Sequence, residues 1–176
     1  LDKYYDYVNL IKNHLNKKET NNVFKNNKNN LQIMVTRRCP LRCTYCPIPK
    51  KEQDMEYKTL KCTIDLLFTL NEKELRLDFS GGEPLLRFDL VKKGIEYATN
   101  LSKIKNKKIT FYIVTNALYL TKEVAEFLNE KKVLLELSID GDEENHNKFK
   151  IPVNSKTNPY KESINNLKNI KNKKIE

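Results

Sequence analysis

Strand-like and helix-like segments alternate along this chain, and that alternation limits the folds open to it. Four short runs are rich in the branched and aromatic residues that favour a sheet: residues 31–35, 75–79, 109–114 and 133–139. After each run, apolar residues recur at helical spacing: Leu60, Ile64 and Leu67; Val91, Ile95 and Ala98; Val124, Phe127 and Leu128; Tyr160, Ile164 and Leu167. Four βα units in succession predict an α/β fold of parallel strands covered by helices. The alternation alone does not separate a barrel from an open doubly wound sheet.

Two regions differ in composition. Residues 1–30 are predicted to form a short helix and an Asn- and Lys-rich connector, because few apolar positions fall in residues 9–30. Residues 31–176 carry the βα units and suffice for one core. The chain begins at Leu1 and ends after a helical stripe, where another strand would follow. We therefore expect it to be part of a longer protein.

The formal net charge of +10 is by itself compatible with nucleic-acid binding. It comes from 28 Lys and 5 Arg spread over the whole chain, together with 22 Asn. A bias toward A- and T-rich codons produces this pattern without any binding role. No arginine- and aromatic-rich face emerges from the pattern, so we expect no nucleic-acid partner.

Three of the four cysteines are closely spaced. Cys39, Cys43 and Cys46 directly follow the first strand-like run, in a stretch broken by three prolines, and such a loop can fold its thiolates onto one metal centre. A structural zinc normally takes four protein ligands, whereas three thiolates on a four-iron, four-sulfur cluster leave one iron open. Cys62 has no neighbouring Cys or His and lies off the apolar stripe of its helix. We interpret Cys62 as a bystander thiol.

Cysteine usage also bears on the compartment. Clustered free thiols favour a reducing environment over a disulfide framework. The sequence shows no signal peptide and no apolar run of the length that a membrane span needs. We expect a cytoplasmic protein with no membrane association.

Other polar motifs fall at the carboxyl ends of the strand-like runs, where barrels and open α/β sheets alike place their chemistry. The second run leads into Gly81-Gly82-Glu83-Pro84, the third into Thr115-Asn116 and the fourth into Ser138-Ile139-Asp140-Gly141. Two glycines let a ligand approach the backbone closely, and a neighbouring carboxylate can accept hydrogen bonds from an ammonium group.

Together these motifs resemble the radical S-adenosylmethionine (SAM) superfamily. Its Cys-x3-Cys-x-aromatic-Cys signature is matched by Cys39, Cys43, Tyr45 and Cys46, and its Gly-Gly-Glu-Pro element by residues 81–84. The resemblance implies a partial TIM-like barrel of six βα units, (βα)6, of which about four are present here. It also implies an enzyme with two cofactors: a [4Fe-4S] cluster held by the three cysteines, and SAM. Reductive cleavage of SAM gives a 5′-deoxyadenosyl radical that abstracts hydrogen from a substrate.

The resemblance assigns parts of SAM to individual motifs. It implies that Gly81, Gly82, Glu83 and Pro84 hold the methionine amino group, with the Glu83 carboxylate as its partner. It places Tyr45 beside the adenine.

Polar residues after the third and fourth strands are expected nearby. The resemblance favours Ser138 for the ribose. Asn116 occupies a comparable strand end, where Ala117 replaces the family's usual glycine and leaves the backbone less free. Asp140 has two open interpretations: a contact to SAM or substrate, and a plain Asp-Gly turn.

The stretch from Asp140-Gly141 to His146-Asn147 resembles the peptide- and protein-modifying branch, which includes anaerobic sulfatase maturases and other SPASM-type enzymes. Many of these have an arginine four residues after the histidine, placed to meet the SAM carboxylate. Lys150 occupies that position here and keeps the charge without the planar bidentate fork. We interpret His146 as a helix-cap or packing residue outside the core site.

The resemblance implies a peptide or protein substrate and a flavodoxin- or ferredoxin-like electron donor. Arg37, Arg38 and Arg42 flank the first two cysteines, where they would balance the negative cluster or meet the donor. Two alternatives stay open: a radical SAM enzyme acting on a small molecule or cofactor precursor, and a non-enzymatic zinc or nucleic-acid-binding module. We expect this chain to be inactive alone, because an unfinished barrel exposes the edge of its last parallel strand.

Overall fold

A computed structural model describes residues 29–170 of the chain. The predicted N-terminal helix and connector lie outside the described residues, apart from residues 29 and 30. The strands are β1 (Asn30–Thr36), β2 (Leu41–Cys43), β3 (Glu74–Gly81), β4 (Lys108–Thr115), β5 (Leu134–Leu137) and β6 (Lys150–Pro152). The helices are α1 (Tyr57–Leu67), α2 (Phe88–Lys105), α3 (Lys122–Glu130), α4 (Glu143–Phe149) and α5 (Pro159–Leu167), with a short 3₁₀ helix at Pro84–Arg87.

The four predicted strand-like runs form one parallel sheet in the order β1-β3-β4-β5. Each new strand is added on the same side as the chain proceeds. A doubly wound sheet instead reverses its strand order at a switch point. The observed order is therefore the one that a barrel requires.

The core lies between one face of this sheet and α1, α2 and α3. Alternate strand residues point to this face, and Val35, Leu77, Phe79 and Ile113 are fully buried there. The predicted helical stripes meet them: Leu60, Ile64 and Leu67; Val91, Ile95 and Ala98; Val124 and Leu128. Burying each large apolar side chain contributes roughly 1.5–3 kcal/mol relative to leaving it exposed. This packing holds the strands, and hence their carboxyl ends, in fixed positions.

The predicted apolar stripe of α5 is only partly buried: Leu167 packs against the core and Tyr160 against His146, but Ile164 does not. The helix buries Pro159 and Ser163, whereas Ile164 is 36% exposed. The reason is a polar docking contact: the Ser163 hydroxyl donates to the Asn116 carbonyl at 2.6 Å, and Asn166 Nδ2 donates to the Ala117 carbonyl at 3.0 Å. Helical periodicity detects apolar packing and misses a helix that docks by hydrogen bonds.

Two features of the fold have no counterpart in the predicted pattern. β2 and β6 form a separate antiparallel pair, and the short helix α4 precedes β6. The predicted fourth strand, residues 133–139, is also shorter than expected, because the Ile139 N–H turns back to the Leu137 carbonyl at 3.0 Å. These short elements lie at the carboxyl end of the sheet, where the predicted site residues are found.

Among the helices within residues 29–170, none combines the length and apolar character that crossing a bilayer requires.

Candidate functional site

The loop between β1 and α1 carries the three clustered cysteines. Within it, β2 pairs with β6, and Cys43 is the register partner of Lys150. The Cys46 N–H donates to the Cys43 carbonyl at 3.1 Å, which closes a tight turn between these two cysteines. Cys39, Cys43 and Cys46 are free, partly buried thiols.

The cysteines and the other possible metal ligands in the described residues are not arranged around a single metal ion. Within residues 29–170, no three Cys, His, Asp or Glu side chains converge to hold one metal ion. An iron–sulfur cube makes a different demand, because its cysteines ligate different iron atoms. Cys62 lies on α1, outside the loop that carries the other three cysteines.

Three N–H groups point at the cysteine sulfurs. Cys39 Sγ accepts from the Leu41 amide at 3.4 Å and from Asn116 Nδ2 at 3.8 Å. Cys46 Sγ accepts from Lys50 Nζ at 2.9 Å. Hydrogen bonds to sulfur and nearby charge set the potential of an iron–sulfur cluster, so this donor set fits a cluster bound through the three thiolates.

The cysteines differ in their electrostatic surroundings. Burial raises the pKa of the Cys39 and Cys43 thiols. Burial also acts upward on the pKa of Cys46, but the hydrogen bonds from Lys50 and from the Ile48 amide outweigh it and lower that pKa. Among the three thiols, Cys46 is therefore the one biased toward the thiolate that binds metal.

The Gly-Gly segment packs tightly on the start of the cysteine loop. A Cβ atom at Gly81 would lie 2.3 Å from the Thr36 carbonyl oxygen, and one at Gly82 would lie 2.1 Å from that of Arg38. Gly81 also has φ 136°, in the region that favours glycine. Two backbone bonds complete the junction: Gly82 N–H to the Thr36 carbonyl and Glu83 N–H to the Arg38 carbonyl, both at 2.9 Å. The two glycines were expected to let a ligand come close to the backbone. In this structure the start of the cysteine loop packs closely against them.

Glu83 differs from the sequence-based expectation because its side chain is fully buried. Its Oε1 accepts from the Leu85 amide at 3.0 Å and the Thr115 hydroxyl at 2.8 Å, and Oε2 accepts from the Asn116 amide at 2.8 Å. These bonds use three of the roughly four lone-pair sites of a carboxylate. Burial raises the pKa of Glu83 to about 7, although the same three hydrogen bonds act in the opposite direction. The carboxylate thus joins the end of β3 to the end of β4, while Pro84, also buried, begins the 3₁₀ helix.

Asn116 connects this junction to the cysteines. Besides its contact to Cys39 Sγ, its Oδ1 accepts from the Leu118 amide at 3.0 Å, and the side chain is buried. Ala117, which replaces the family's glycine, takes a left-handed φ of 62° nonetheless. This conformation is uncommon for a residue with a Cβ. The Ala117 N–H donates to the Thr115 hydroxyl at 2.9 Å, which supports the turn.

Four predicted residues from three segments meet in one cluster: Tyr45, Ser138, Asp140 and Lys150. The Lys150 side chain is 2% exposed, and its Nζ donates to Ser138 Oγ at 2.9 Å and lies 3.6 Å from Asp140 Oδ2. The same ammonium lies 5.5 Å from the centroid of the Tyr45 ring. The Tyr45 hydroxyl donates to Asp140 Oδ2, and Tyr45 itself is 56% exposed. A buried cation beside an exposed aromatic ring is suited to hold an anionic group and a flat ring together.

His146 is a buried residue that contacts this cluster through the backbone of Asp140. Its side chain is fully buried and packs edge-on against Tyr160, with ring centroids 5.6 Å apart. Its Nδ1 accepts from the Asp140 amide at 3.2 Å, which fixes the turn that presents Asp140. Burial lowers the pKa of His146, which favours the neutral ring whose Nδ1 can accept this bond. The packing interpretation is confirmed, and the link to Asp140 adds to it.

Two residues that sequence reasoning missed contact the site: Lys50, at Cys46 Sγ, and Ser163, at the Asn116 carbonyl. Lys50 follows Cys46 by four residues, and that short spacing was the available signal. Ser163 contacts the backbone of Asn116 from a distant part of the chain, and nothing local in the sequence marks it.

The sequence profile of the radical SAM superfamily matches residues 33–176. The chain belongs to the radical SAM superfamily. The members of this superfamily are enzymes with an α/β partial barrel, and their characteristic cofactors are SAM and a [4Fe-4S] cluster. The three-cysteine loop and the Gly-Gly-Glu-Pro segment lie within the matched residues.

Three proteins illustrate what this radical SAM chain is similar to. A cysteine-type anaerobic sulfatase-maturating enzyme of Clostridium novyi is 27% identical over 147 residues, which are 78% of this chain and 39% of the relative. A GTP 3′,8-cyclase of Clostridium botulinum is 34% identical over 118 residues, 64% of this chain and 35% of the relative. The solved structure of native anSMEcpe with bound AdoMet and Cp18Cys peptide superposes with a TM-score of 0.74 at 27% identity, covering 84% of this chain and 41% of that one. The chain spans less than half the length of the relatives it matches.

Proposed function

We propose that this chain is part of the catalytic core of a radical SAM enzyme that modifies a peptide or protein. The observation that carries the proposal is the likeness to native anSMEcpe, a structure with both AdoMet and a peptide bound. When bound, a [4Fe-4S] cluster supplies the electron that cleaves SAM to methionine and a 5′-deoxyadenosyl radical, which then takes a hydrogen atom from the substrate. The residues of this chain would position the cofactors and exclude competing donors.

Cys39, Cys43 and Cys46 are the proposed cluster ligands. The support is chemical: three thiols on one loop and N–H donors at two of the sulfurs. The positive charges of Lys50 and Lys150 also act to lower the pKa values of Cys43 and Cys46, although burial outweighs them at Cys43 and its pKa stays raised. Positive charge and N–H···S bonds stabilise an anionic thiolate-bound cluster.

The cluster of Tyr45, Ser138, Asp140 and Lys150 is the proposed site for the carboxylate and nucleoside of SAM. Lys150 supplies a buried positive charge for the carboxylate, and Ser138, bonded to it, is the candidate for the ribose. Tyr45 presents an exposed ring for the adenine. Asp140 receives the Tyr45 hydroxyl and faces Lys150, so its proposed task is to hold these two groups in place.

The amino group of SAM is assigned to the Gly81–Pro84 segment. Because the Glu83 carboxylate is fully buried under three donors, we assign the contact to backbone carbonyl oxygens of Gly81 and Gly82, which can accept from an ammonium group. Glu83 and Pro84 then fix the course of that segment. Asn116 would link it to the metal-binding loop through its contact to Cys39.

An external one-electron donor is part of the proposal. A flavodoxin- or ferredoxin-like protein is the expected class, acting in a reducing, cytoplasmic compartment without nucleic acid or membrane as a partner. Arg42 is exposed beside the cysteines and bonds to the Cys39 carbonyl at 2.8 Å. It would offer positive charge to an acidic donor.

The test uses the full-length protein, reconstituted anaerobically with iron and sulfide and reduced in the presence of SAM. Wild type and Cys62→Ala should hold the brown cluster and release 5′-deoxyadenosine, because Cys62 lies outside the loop. Cys43→Ala should lose both. Stoichiometric zinc uptake without iron and sulfide, or equal activity of the Cys43 variant, would contradict the proposal.

A small-molecule substrate is the second candidate, favoured by the similarity to a GTP 3′,8-cyclase. Deuterium transfer into 5′-deoxyadenosine distinguishes the two candidates. Transfer from a deuterated peptide whose gene neighbours the gene of this protein supports the peptide class. Transfer from deuterated GTP, with none from the peptide, supports the small-molecule class.

A further inference from the structure

The two ends of the cysteine loop are joined at Asp54. The loop leaves β1 after Thr36 and returns at Asp54, and these two residues form an antiparallel bridge. Backbone bonds flank it on both sides: Arg37 N–H to the Gln53 carbonyl and Met55 N–H to the Val35 carbonyl, each at 2.9 Å. The base of the loop is therefore closed by the protein alone.

The Asp54 carboxylate adds contacts to both ends of the loop. Its Oδ1 accepts from the Thr36 hydroxyl at 2.6 Å and from Arg38 Nε at 2.9 Å, while Oδ2 accepts from Arg38 Nη2 at 2.7 Å. The Arg38 pair is bidentate, the geometry in which Arg fixes a carboxylate most firmly. Arg38 directly precedes Cys39, so the first thiol is tied to the end of its own loop.

The same carboxylate reaches a third segment. Arg87 Nη1 lies 2.9 Å from Asp54 Oδ2, and Arg87 belongs to the 3₁₀ helix that follows Gly-Gly-Glu-Pro. These contacts use all of the roughly four lone-pair sites of the carboxylate. Partial burial raises the pKa of Asp54, but the hydrogen bonds from Thr36, Arg38 and Arg87 outweigh it and hold the pKa below its usual range.

The exposure of these groups indicates what they do. The side chains of Asp54, Arg38 and Arg87 are 28%, 32% and 22% exposed and lie outside the apolar core. Partly exposed ion pairs add little to global stability. A group that joins three chain segments can still restrict their relative motion.

We propose that Asp54 is the positioning residue of the cysteine loop: it holds both loop ends against the segment after Gly-Gly-Glu-Pro, so that the loop is shaped before a cluster binds. The inference rests on the proposed function for the identity of the bound group. It concerns a residue that touches neither the cysteines' sulfur atoms nor the SAM-site residues named above. Its consequence is that the loop of the metal-free protein is ordered by side chains of the chain itself.

The experiment compares Asp54→Asn with Asp89→Asn in the full-length protein. Asp89 pairs with the same Arg87 through two bonds, at 2.9 and 3.0 Å, but is 58% exposed and belongs to α2, away from the loop. Hydrogen exchange of the metal-free protein is the first readout. In Asp54→Asn, exchange should rise at residues 36–55 and 82–87 and stay unchanged in β3 and β4, whereas Asp89→Asn should match wild type throughout.

Iron release from the reconstituted protein to excess chelator is the second readout. Asp54→Asn should release iron about tenfold faster or more, a change as large as the typical loss of metal affinity when groups behind metal ligands are removed. Asp54→Glu keeps the carboxylate and should recover part of the loss. Asp89→Asn should match wild type.

The two readouts separate this inference from the proposed function. Wild-type protein that takes up no iron and sulfide defeats the proposed function, while exchange on metal-free protein still decides the role of Asp54. Unchanged loop exchange in Asp54→Asn overturns the inference. So does faster exchange spread over the whole core, which would make Asp54 an ordinary stability residue, or an Asp89→Asn variant that behaves in the same way.

Discussion

Cys43 and Lys150 face each other as register partners across the antiparallel β2–β6 pair. The pairing brings a proposed cluster ligand and the proposed partner of the SAM carboxylate to the same point of a small sheet. Because backbone hydrogen bonds fix the register, the two side chains keep their relation without a flexible loop between them. The Thr44 amide extends the contact by donating to the Phe149 carbonyl at 3.0 Å. The metal-binding loop and the lysine thus form one structural unit.

Lys150→Met is expected to weaken SAM binding about tenfold or more, because a hydrogen bond to a charged group contributes roughly 1.5–3 kcal/mol and 1.4 kcal/mol is a factor of ten. Methionine fills similar space, so packing around the buried side chain is largely kept. Equilibrium dialysis with SAM on the reconstituted full-length protein measures the effect.

Lys148→Met is the matched control for this experiment. Lys148 lies two residues earlier and is exposed, so the same change of charge should leave SAM affinity within a factor of two. Lys150→Arg keeps the charge and should retain the affinity. Equal affinity in wild type and Lys150→Met would remove Lys150 from the site, as would a large loss in Lys150→Arg.

The fold could be predicted from the sequence to the extent that it depends on local periodicity. The strands at Asn30–Thr36, Glu74–Gly81 and Lys108–Thr115 follow apolar runs that leave few alternatives. The stripe Leu60, Ile64, Leu67 is buried as expected. Strand order could not be derived from local pattern, because it depends on which strands pair, and the family resemblance supplied it.

The candidate site was predictable residue by residue but not as an arrangement. Tyr45 is far from Asp140 and Lys150 in sequence, and the β2–β6 pair that joins its segment to that of Lys150 has only three residues in each strand. Strands of that length are too short to show the alternation of apolar and polar residues that predicts a strand. The burial of Glu83 was missed for a related reason: its three donors include Thr115 and Asn116, at the end of another strand.

Lys50→Gln is expected to shift the cluster potential on the order of 50 mV toward more negative values. Lys50 Nζ lies 2.9 Å from Cys46 Sγ, and its positive charge favours the reduced, more negative form of a cluster bound there. A redox titration followed by electron paramagnetic resonance measures the shift in the reconstituted protein. Lys51→Gln makes the same change at the exposed neighbouring position and should leave the potential unchanged. A shift of equal size in both variants would assign the effect to general surface charge.

Ser163→Ala is expected to lower the free energy of unfolding by about 1–3 kcal/mol, the cost of leaving a buried polar group unsatisfied. The Ser163 hydroxyl donates to the Asn116 carbonyl at 2.6 Å, and both residues are buried. Urea denaturation of the full-length protein measures the loss. The exposed Ser155→Ala should change the value by less than about 0.5 kcal/mol. If both variants matched wild type, the hydrogen bond that docks α5 would make no contribution to the free energy of unfolding.

Glu83→Gln is expected to remove a pH-dependent part of the stability. The folded pKa of Glu83 is raised to about 7 from an ordinary 4.5 by burial, so the folded state keeps a proton that the unfolded state has lost. The resulting contribution is fully present below the unfolded pKa and is lost as pH rises through 7, an effect of up to roughly 3 kcal/mol. Glutamine does not titrate, so the free energy of unfolding of wild type minus that of Glu83→Gln should fall between pH 5 and pH 8.

Urea denaturation of the metal-free protein at these two pH values measures that difference. The exposed Glu123→Gln serves as the control and should show no such pH-dependent difference from wild type. A constant difference between wild type and Glu83→Gln would mean that the bonds from Leu85, Thr115 and Asn116 outweigh burial. Glu83 would then be a permanent carboxylate, stabilised in place by the three donors that join the ends of β3 and β4.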